Sequence, residues 1–123
     1  MNVLAIVNGF GLGNATRCDP LLVQLSQSLE TSAVRIDIAT SGNGLPYFSD
    51  CPYLRRLFEL RSISYGSSDA KTGISSLALF AAIPRTVATY FANVRTVLKI
   101  LSSQPYDLVV IDSDYTALVF RLF

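Results

Sequence analysis

Short apolar runs alternate along this chain with longer stretches of helical periodicity. Residues 2–7 (NVLAIV) are apolar almost throughout, which predicts a strand buried on both faces, as in a parallel sheet. Residues 15–30 place leucines at helical spacing, and residues 33–40 (AVRIDIAT) alternate apolar and charged positions as a strand does. The leucines of the helical stretch are Leu21, Leu22, Leu25 and Leu29.

The middle of the chain is less regular. After the turn-rich residues 41–46 (SGNGLP), residues 53–65 are ambiguous, and we interpret the second half of that segment as a strand. Residues 66–73 are polar with glycine at both ends, which predicts a loop. Residues 74–103 predict a long helix that ends or kinks near Ile83, because Pro84 cannot donate a helical hydrogen bond.

The part of this helix after the proline is amphipathic. Its apolar face consists of Val87, Tyr90, Phe91, Val94, Val97, Leu98 and Leu101. The opposite face carries Arg85, Thr89, Arg95, Thr96 and Lys99. The pattern favours a core-facing helix with a solvated basic back. Peripheral membrane contact and partner binding are the alternatives, and membrane contact is not favoured because three cations do not make a polybasic patch.

A second short apolar strand closes the pattern. Residues 107–114 (DLVVIDSD) end in acids, and residues 115–123 start another helix whose apolar side chains need a partner surface. The alternation of strands and helices predicts an α/β fold, a parallel sheet with right-handed crossovers. We expect one domain over residues 1–123, either cut short at its C-terminal end or docked against another polypeptide.

Composition narrows the class of protein. Half of the residues are hydrophobic and the net charge is only +1, which argues against a nucleic-acid binder that relies on electrostatic attraction. There is no signal peptide and no apolar run long enough to span a membrane, so we expect a soluble, cytoplasmic protein. Cys18 and Cys51 lack metal-binding spacing and predict two reduced thiols. The absence of histidine excludes an imidazole base, a histidine metal ligand and a Ser-His pair within this chain.

The loop after the first strand carries three glycines at alternate positions, in the sequence VNGFGLGNATR (7–17). Gly9, Gly11 and Gly13 let backbone N–H groups approach a ligand, and the following helix N-terminus favours an anionic or polyhydroxylated one. The dinucleotide fingerprint fails because Asn14 occupies its third glycine position, and Asp37 lies late for its acid. A tight strand-to-helix turn that needs glycine only for its shape is the alternative.

The wider pattern Gly-x-Gly-x-Gly-(His)-x-x-Arg after an N-terminal strand resembles the first loop of GT-B glycosyltransferases. The resemblance is to family 28, related to the lipid-linked N-acetylglucosaminyltransferases of cell-wall synthesis. Residues 39–48 (ATSGNGLPYF) resemble the second glycine-bearing loop of that family, and residues 105–118 (PYDLVVIDSDYTAL) resemble its strand that ends in an acid. The resemblance implies a Rossmann-like parallel sheet sandwiched by helices, as an incomplete GT-B N-terminal domain.

By the same resemblance, this chain is the acceptor-binding half of a glycosyltransferase. Such an enzyme transfers a sugar from a nucleotide-diphosphate donor by displacement at the anomeric carbon, without a metal or another cofactor. A second domain supplies most donor contacts, so the expected partners are the donor, an unknown acceptor, and a C-terminal donor-binding chain or a homo-oligomer. A non-catalytic binding module or gene remnant is the second hypothesis. A small dinucleotide or flavin binder is the third.

The resemblance also implies roles for single residues. Many family members carry histidine at the position of Asn14, where asparagine cannot take a proton, so its simplest role is as a helix N-cap. Asp112 and Asp114 are then the candidate bases, and we favour Asp112 as the base and Asp114 as a substrate-binding residue. The alternative for both acids, and especially for Asp114, is that they cap the next helix. Arg17 faces a phosphate bidentately or is a solvated surface arginine.

Two further signals bear on the same cleft. Asp19 followed by Pro20 is a helix-start signal, so the regular helix is expected to begin at Pro20, with residues 14–18 as an extra turn. Ser41, Gly42 and Gly44 either line the substrate cleft or form an ordinary strand-to-helix turn.

Overall fold

The computed structural model of the protein describes residues 1–27, 34–63 and 76–114. Its elements in chain order are β1 (Asn2–Val7), α1 (Leu12–Gln27), β2 (Arg35–Thr40), α2 (Gly44–Phe48), β3 (Leu54–Glu59), α3 (Ser76–Ser103) and β4 (Leu108–Asp112). The four strands are all parallel and lie in the order β3-β2-β1-β4. The predicted α/β class is therefore confirmed, and the fold is Rossmann-like.

The helices cover both faces of the sheet. Helices α1 and α2 pack on one face, where the core residues are Val3, Ala5, Val7, Ala15, Cys18, Leu22, Ile36, Ile38 and Phe48. Helix α3 packs on the other, where they are Leu4, Ile6, Ala39, Leu60, Val97 and Ile100. Strand β1 therefore contributes side chains to both cores, and its prediction as a doubly buried strand is confirmed.

Helix α1 begins earlier than expected. It runs from Leu12 to Gln27 with Pro20 inside it, so the prediction of a helix start at Pro20 is wrong. Asp19 lies in mid-helix, where its carboxylate accepts hydrogen bonds from the hydroxyls of Tyr53 and Tyr47. Burial, together with the bond to Asp19, raises the pKa of Tyr53. Asp19 therefore ties α1 to the segment around α2 and β3.

Both cysteines are free thiols. Cys18 lies on the buried side of α1, and burial raises its pKa to about 11. Its thiol is therefore protonated at neutral pH and belongs to the core packing.

Strand β3 is in the first half of residues 53–65, so our interpretation of the second half as a strand is wrong. The pairing of β2 with β3 shifts by one residue between Ile36 and Asp37, which leaves Arg55 as an extra residue in β3. Because of this bulge, Leu54 and Leu57 both pack on the core beneath α1. The bulge breaks the alternation of apolar and polar residues from which a strand is usually recognised.

Asp37 lies in the middle of β2 and is fully buried, although the sequence pattern placed it on a polar face. It forms ion pairs with Arg55 at 2.6 Å and Arg56 at 2.7 Å, and the hydroxyl of Tyr106 donates to it at 2.6 Å. Gln104 donates a further hydrogen bond at 3.1 Å. We call these five residues the Asp37 cluster. It joins β2 to β3 and to the connection between α3 and β4.

Helix α3 continues through Pro84 to Ser103, so it does not end at Ile83. Among the side chains of α3 that the structure describes, Asn93, Val97 and Ile100 are buried, whereas Val87, Phe91 and Leu98 are exposed. The core-facing side predicted from the apolar pattern is therefore partly wrong, because α3 is rotated so that the polar Asn93 faces inward. None of the helices within the described residues is long and apolar enough to cross a membrane.

Two predicted elements lie outside the described residues. They are the loop at 66–73 and the helix that starts at 115–123.

Candidate functional site

Three loops meet at the carboxyl edge of the sheet, where parallel α/β folds bind ligands. The loop after β1 contacts the loop after β2 through a hydrogen bond from the Asn43 N–H to the Gly9 carbonyl, 3.1 Å long. It contacts the end of β4 through the Asn8 side-chain amide, which donates to the Ser113 carbonyl at 3.0 Å. These are the three segments that carry the glycosyltransferase resemblance, and the fold brings their described parts together.

The three glycines of the first loop have different surroundings. Gly9 is buried, and a Cβ there would overlap the backbone carbonyl of Ser41. A Cβ at Gly11 or Gly13 would meet no atom within 4 Å, and Gly13 is already in α1. None of the three has a positive φ. Gly9 is therefore required for the packing of two loops, and the other two leave open space above the start of α1.

The second loop is a tight strand-to-helix turn that also borders the site. Gly42 has a φ of 51°, in the left-handed region that favours glycine. Gly44 starts α2 and is buried so closely against Thr40 that a Cβ would overlap the Thr40 hydroxyl. Ser41 lines the open pocket described below. The structure therefore places Ser41 at the site, whereas Gly44 supports the turn from beneath.

Arg17 and Asp112 lie 95 residues apart in the sequence and bind each other across the edge between β1 and β4. Nη2 of Arg17 donates to one carboxylate oxygen of Asp112, and Nε donates to the other at 3.2 Å. The Arg17 side chain is 63% exposed and that of Asp112 is 18% exposed. The hydrogen bond and the negative charge of Asp112 raise the pKa of Arg17, which stays cationic.

This geometry limits what Asp112 does as a base. Both of its oxygens accept from Arg17, and the Ser113 hydroxyl donates to one of them at 3.1 Å. Oδ1 accepts two hydrogen bonds and Oδ2 accepts one, so release of Arg17 would free most of the acceptor sites of Asp112 for a ligand. Arg17 remains accessible from solvent and can bind an anionic group if that exchange occurs.

Asn14 is not the N-cap that the sequence suggested. It is the third residue of α1, and its side-chain amide donates to the Asn8 carbonyl at 3.3 Å. Its side-chain oxygen accepts from Nη2 of Arg17, also at 3.3 Å. The prediction is wrong because α1 starts two residues before Asn14. The residue instead connects the glycine loop to the ion pair of Arg17 with Asp112.

An open pocket lies at the same edge of the sheet, with a volume of about 350 Å³ that includes the part open to solvent. Its described lining residues are Asn8, Phe10, Ser41, Arg61, Ser62, Ile63, Asn93 and Asp114. Asp114, which is predicted to bind substrate, therefore lines this pocket. The helix that Asp114 was alternatively expected to cap lies outside the described residues.

Several residues at this edge were not predicted. Ser113 has a φ of 55°, an uncommon backbone conformation for a residue other than glycine that is often found at functional sites. Asn8 and Ser113 directly follow β1 and β4, so their positions at strand ends were a usable signal. Phe10 was recognisable as an aromatic residue inside a glycine loop. Arg61 had no such signal, because β3 was placed too late in the chain.

Asn93 of α3 lines the pocket and binds the backbone of Arg61, another lining residue. Its side-chain oxygen accepts from the Arg61 N–H at 2.8 Å, and its amide donates to the Arg61 carbonyl at 2.9 Å. We predict that Asn93→Ala lowers the free energy of unfolding by about 2 kcal/mol, because two hydrogen bonds to backbone are lost. Urea unfolding would measure this, with Asn43→Ala as the control, since the exposed Asn43 makes no side-chain cap bond. Equal stability of the two variants would contradict the prediction.

Asp37 does not occupy a ribose-binding position. It is fully buried, and its oxygens accept from the residues of the Asp37 cluster. Burial by itself would raise its pKa, but the hydrogen bonds from Arg55, Arg56 and Tyr106 outweigh burial and lower the pKa to about 2. The acid that a dinucleotide-binding fold uses for a ribose is therefore not supplied by Asp37.

Comparisons with protein-family models, with curated proteins and with solved structures found no match to this chain.

Proposed function

We propose that this chain is the acceptor-binding half of a GT-B glycosyltransferase that uses a nucleotide-diphosphate sugar and works with a C-terminal donor-binding domain or subunit. The observation that carries the proposal is that the three segments similar to the glycosyltransferase family meet at one edge of the sheet. Asn8 bonds to Ser113, Gly9 to Asn43, and Arg17 to Asp112. Contacts between such distant segments support the proposal of a composite ligand site, because they lie at the sheet edge where Rossmann-like folds bind their ligands.

In this proposal, Arg17 and Asp112 act as an exchangeable pair. An anionic group of the substrate would displace Asp112 from the exposed Arg17 guanidinium. The released carboxylate would then be available to accept the proton of the acceptor hydroxyl as that hydroxyl attacks the anomeric carbon. The bond between the anomeric carbon and the donor phosphate oxygen breaks, and the nucleoside diphosphate leaves with its electron pair. The chain itself supplies the acceptor surface and the base.

The experiment is co-expression of this chain with a nucleotide-sugar-binding domain encoded in the same or the neighbouring reading frame. The complex would be incubated with radiolabelled UDP-, GDP- and dTDP-sugars, and release or transfer of the sugar would be followed. We expect turnover that requires this chain and falls at least tenfold in Asp112→Asn. A stable complex that binds a nucleotide sugar and never turns it over would refute the proposal.

A non-catalytic binding module is the second candidate, and the ion pair favours it. The predicted phosphate ligand and the predicted base neutralise each other, and Asn14 stands where the resembling family has histidine. Asn14→His in the same complex distinguishes the two candidates. A gain of turnover indicates a glycosyltransferase that has lost its base, whereas a complex that stays inactive with nucleotide sugar bound indicates a binding module.

A further inference from the structure

Phe10 is an exposed aromatic side chain on a well-anchored loop. Its side chain is 67% exposed, although it lies between two glycines next to the buried core of β1. The Phe10 N–H donates to the Asn8 side-chain oxygen at 2.9 Å, and the amide of the same asparagine donates to the Ser113 carbonyl. The neighbouring Gly9 is packed against Ser41. An apolar ring is therefore presented to solvent from a backbone that is held on both sides.

The ring borders a pocket whose other described residues are mainly polar. Asn8, Ser41 and Asp114 follow β1, β2 and β4, and Arg61 and Ser62 follow β3. Together they offer amide, hydroxyl, carboxylate and guanidinium groups, which donate and accept hydrogen bonds. One aromatic surface beside several convergent polar groups is the usual composition of a site for a small polar ligand.

A pyranose ring has matching surfaces. Its hydroxyl groups point outward around the ring edge, and its axial C–H groups form a weakly electropositive apolar face. That face is attracted to the negative face of an aromatic ring, while planar polar side chains pair with the hydroxyls. We propose that the pocket binds a sugar ring of the acceptor, with Phe10 stacked on the apolar face of that ring. This inference rests on the proposed acceptor role and adds the ligand class and the stacking residue.

The lining suits an uncharged polyhydroxylated ring, because its amide, hydroxyl, carboxylate and guanidinium groups can all pair with sugar hydroxyls. A nucleobase would also stack on Phe10, with Arg61 attracting its phosphate and Asp114 repelling it. A nucleotide is therefore the competing ligand in the test.

The experiment is saturation-transfer-difference NMR on the full chain with methyl glycosides of N-acetylglucosamine, glucose, galactose and mannose, and with UMP. We expect at least one glycoside to bind at millimolar concentration, with the strongest transfer to its axial C–H protons. Phe10→Ala is expected to weaken this binding at least tenfold, and Phe10→Tyr to retain it. The control is Phe91→Ala, since Phe91 is 63% exposed on α3 and does not line the pocket.

Each adverse outcome overturns the inference. Equal binding by the wild-type chain and Phe10→Ala would show that the pocket takes a sugar without stacking, and would leave the acceptor role intact. Binding of UMP in preference to every glycoside would show that the pocket binds a nucleotide and not a sugar. If no glycoside binds a chain whose thermal unfolding shows that it is folded, the inference fails. Donor turnover in the co-expressed complex then decides the proposed function separately.

Discussion

Replacement of Asp37 by asparagine is expected to lower the free energy of unfolding by about 3 kcal/mol, because removal of one partner leaves buried or half-buried charges uncompensated. The Arg55 and Arg56 side chains are 28% and 42% exposed, so they lose their counter-ion in a partly dry environment. An asparagine amide also turns N–H donors toward guanidinium donors, and only one of its two polar atoms can accept their hydrogen bonds.

The same residue predicts a pH dependence. The pKa of Asp37 is about 2 in the folded chain, below its ordinary value near 3.8. A lowered pKa means that the carboxylate stabilises the fold fully above its unfolded pKa, and that this contribution is lost as the pH falls toward the folded pKa. The loss is about 2 kcal/mol between roughly pH 5 and pH 2.

Urea unfolding of the wild type and of Asp37→Asn at pH 7, 4 and 3 would test both statements. The difference in stability should shrink as the pH falls, because protonation neutralises the wild-type aspartate as well. Asp50→Asn is the matched control, since Asp50 is exposed and is expected to change stability by less than about 0.5 kcal/mol. A destabilisation that stays constant across this pH range would assign the effect to packing and not to charge.

Replacement of Gly9 by alanine is expected to lower the free energy of unfolding by about 3 kcal/mol or more. The added methyl group would meet backbone atoms, which cannot move aside as a flexible side chain can. The added Cβ would overlap the Ser41 carbonyl, and separating the two loops would also break the hydrogen bond from Asn43 to Gly9. The pocket lined by Phe10 and Ser41 should be lost together with the stability.

The neighbouring glycines supply the controls for this substitution. Gly11→Ala adds its Cβ to open space, and Gly13→Ala does so inside α1, where alanine favours the helix by up to about 1 kcal/mol. Thermal and urea unfolding should show a large loss of stability for Gly9→Ala, little change for Gly11→Ala and a small gain for Gly13→Ala. Equal tolerance of alanine at Gly9 and Gly11 would show that the two loops are not packed as described.

Local patterns predicted the elements whose side chains follow a regular period. The apolar run of β1 was recognised, because a continuous apolar segment is typical of a strand inside a parallel sheet. The apolar run of β4 gave the same signal, although β4 ends the described strand order and is only half-buried. The bulge of β3 was missed, because an extra residue can be recognised only from the pairing of β3 with its partner strand β2. The orientation of α3 was partly missed, since the inward position of Asn93 depends on the backbone of Arg61.

Some features of the candidate site could be predicted from local sequence, and others could not. Its glycine loop and its strand-end acid were visible as motifs, because the backbone freedom of glycine and the position after a buried strand are local properties. The roles of Asn14, Arg17 and Asp112 were not, because a side chain near a strand end has several partners within reach. Only the folded arrangement shows that Arg17 binds Asp112 and that Asn14 lies behind them.

The sequence by itself determined the class of this protein. Its alternating apolar runs specify a parallel α/β sheet, and its lack of histidine excludes imidazole chemistry within the chain. The tertiary structure decided which charges are buried and which polar groups meet. Asp37 became the centre of a buried cluster, and residues 95 positions apart became an ion pair. The physical reason is that burial and electrostatic pairing depend on distances in space, which the spacing of residues along a chain does not set.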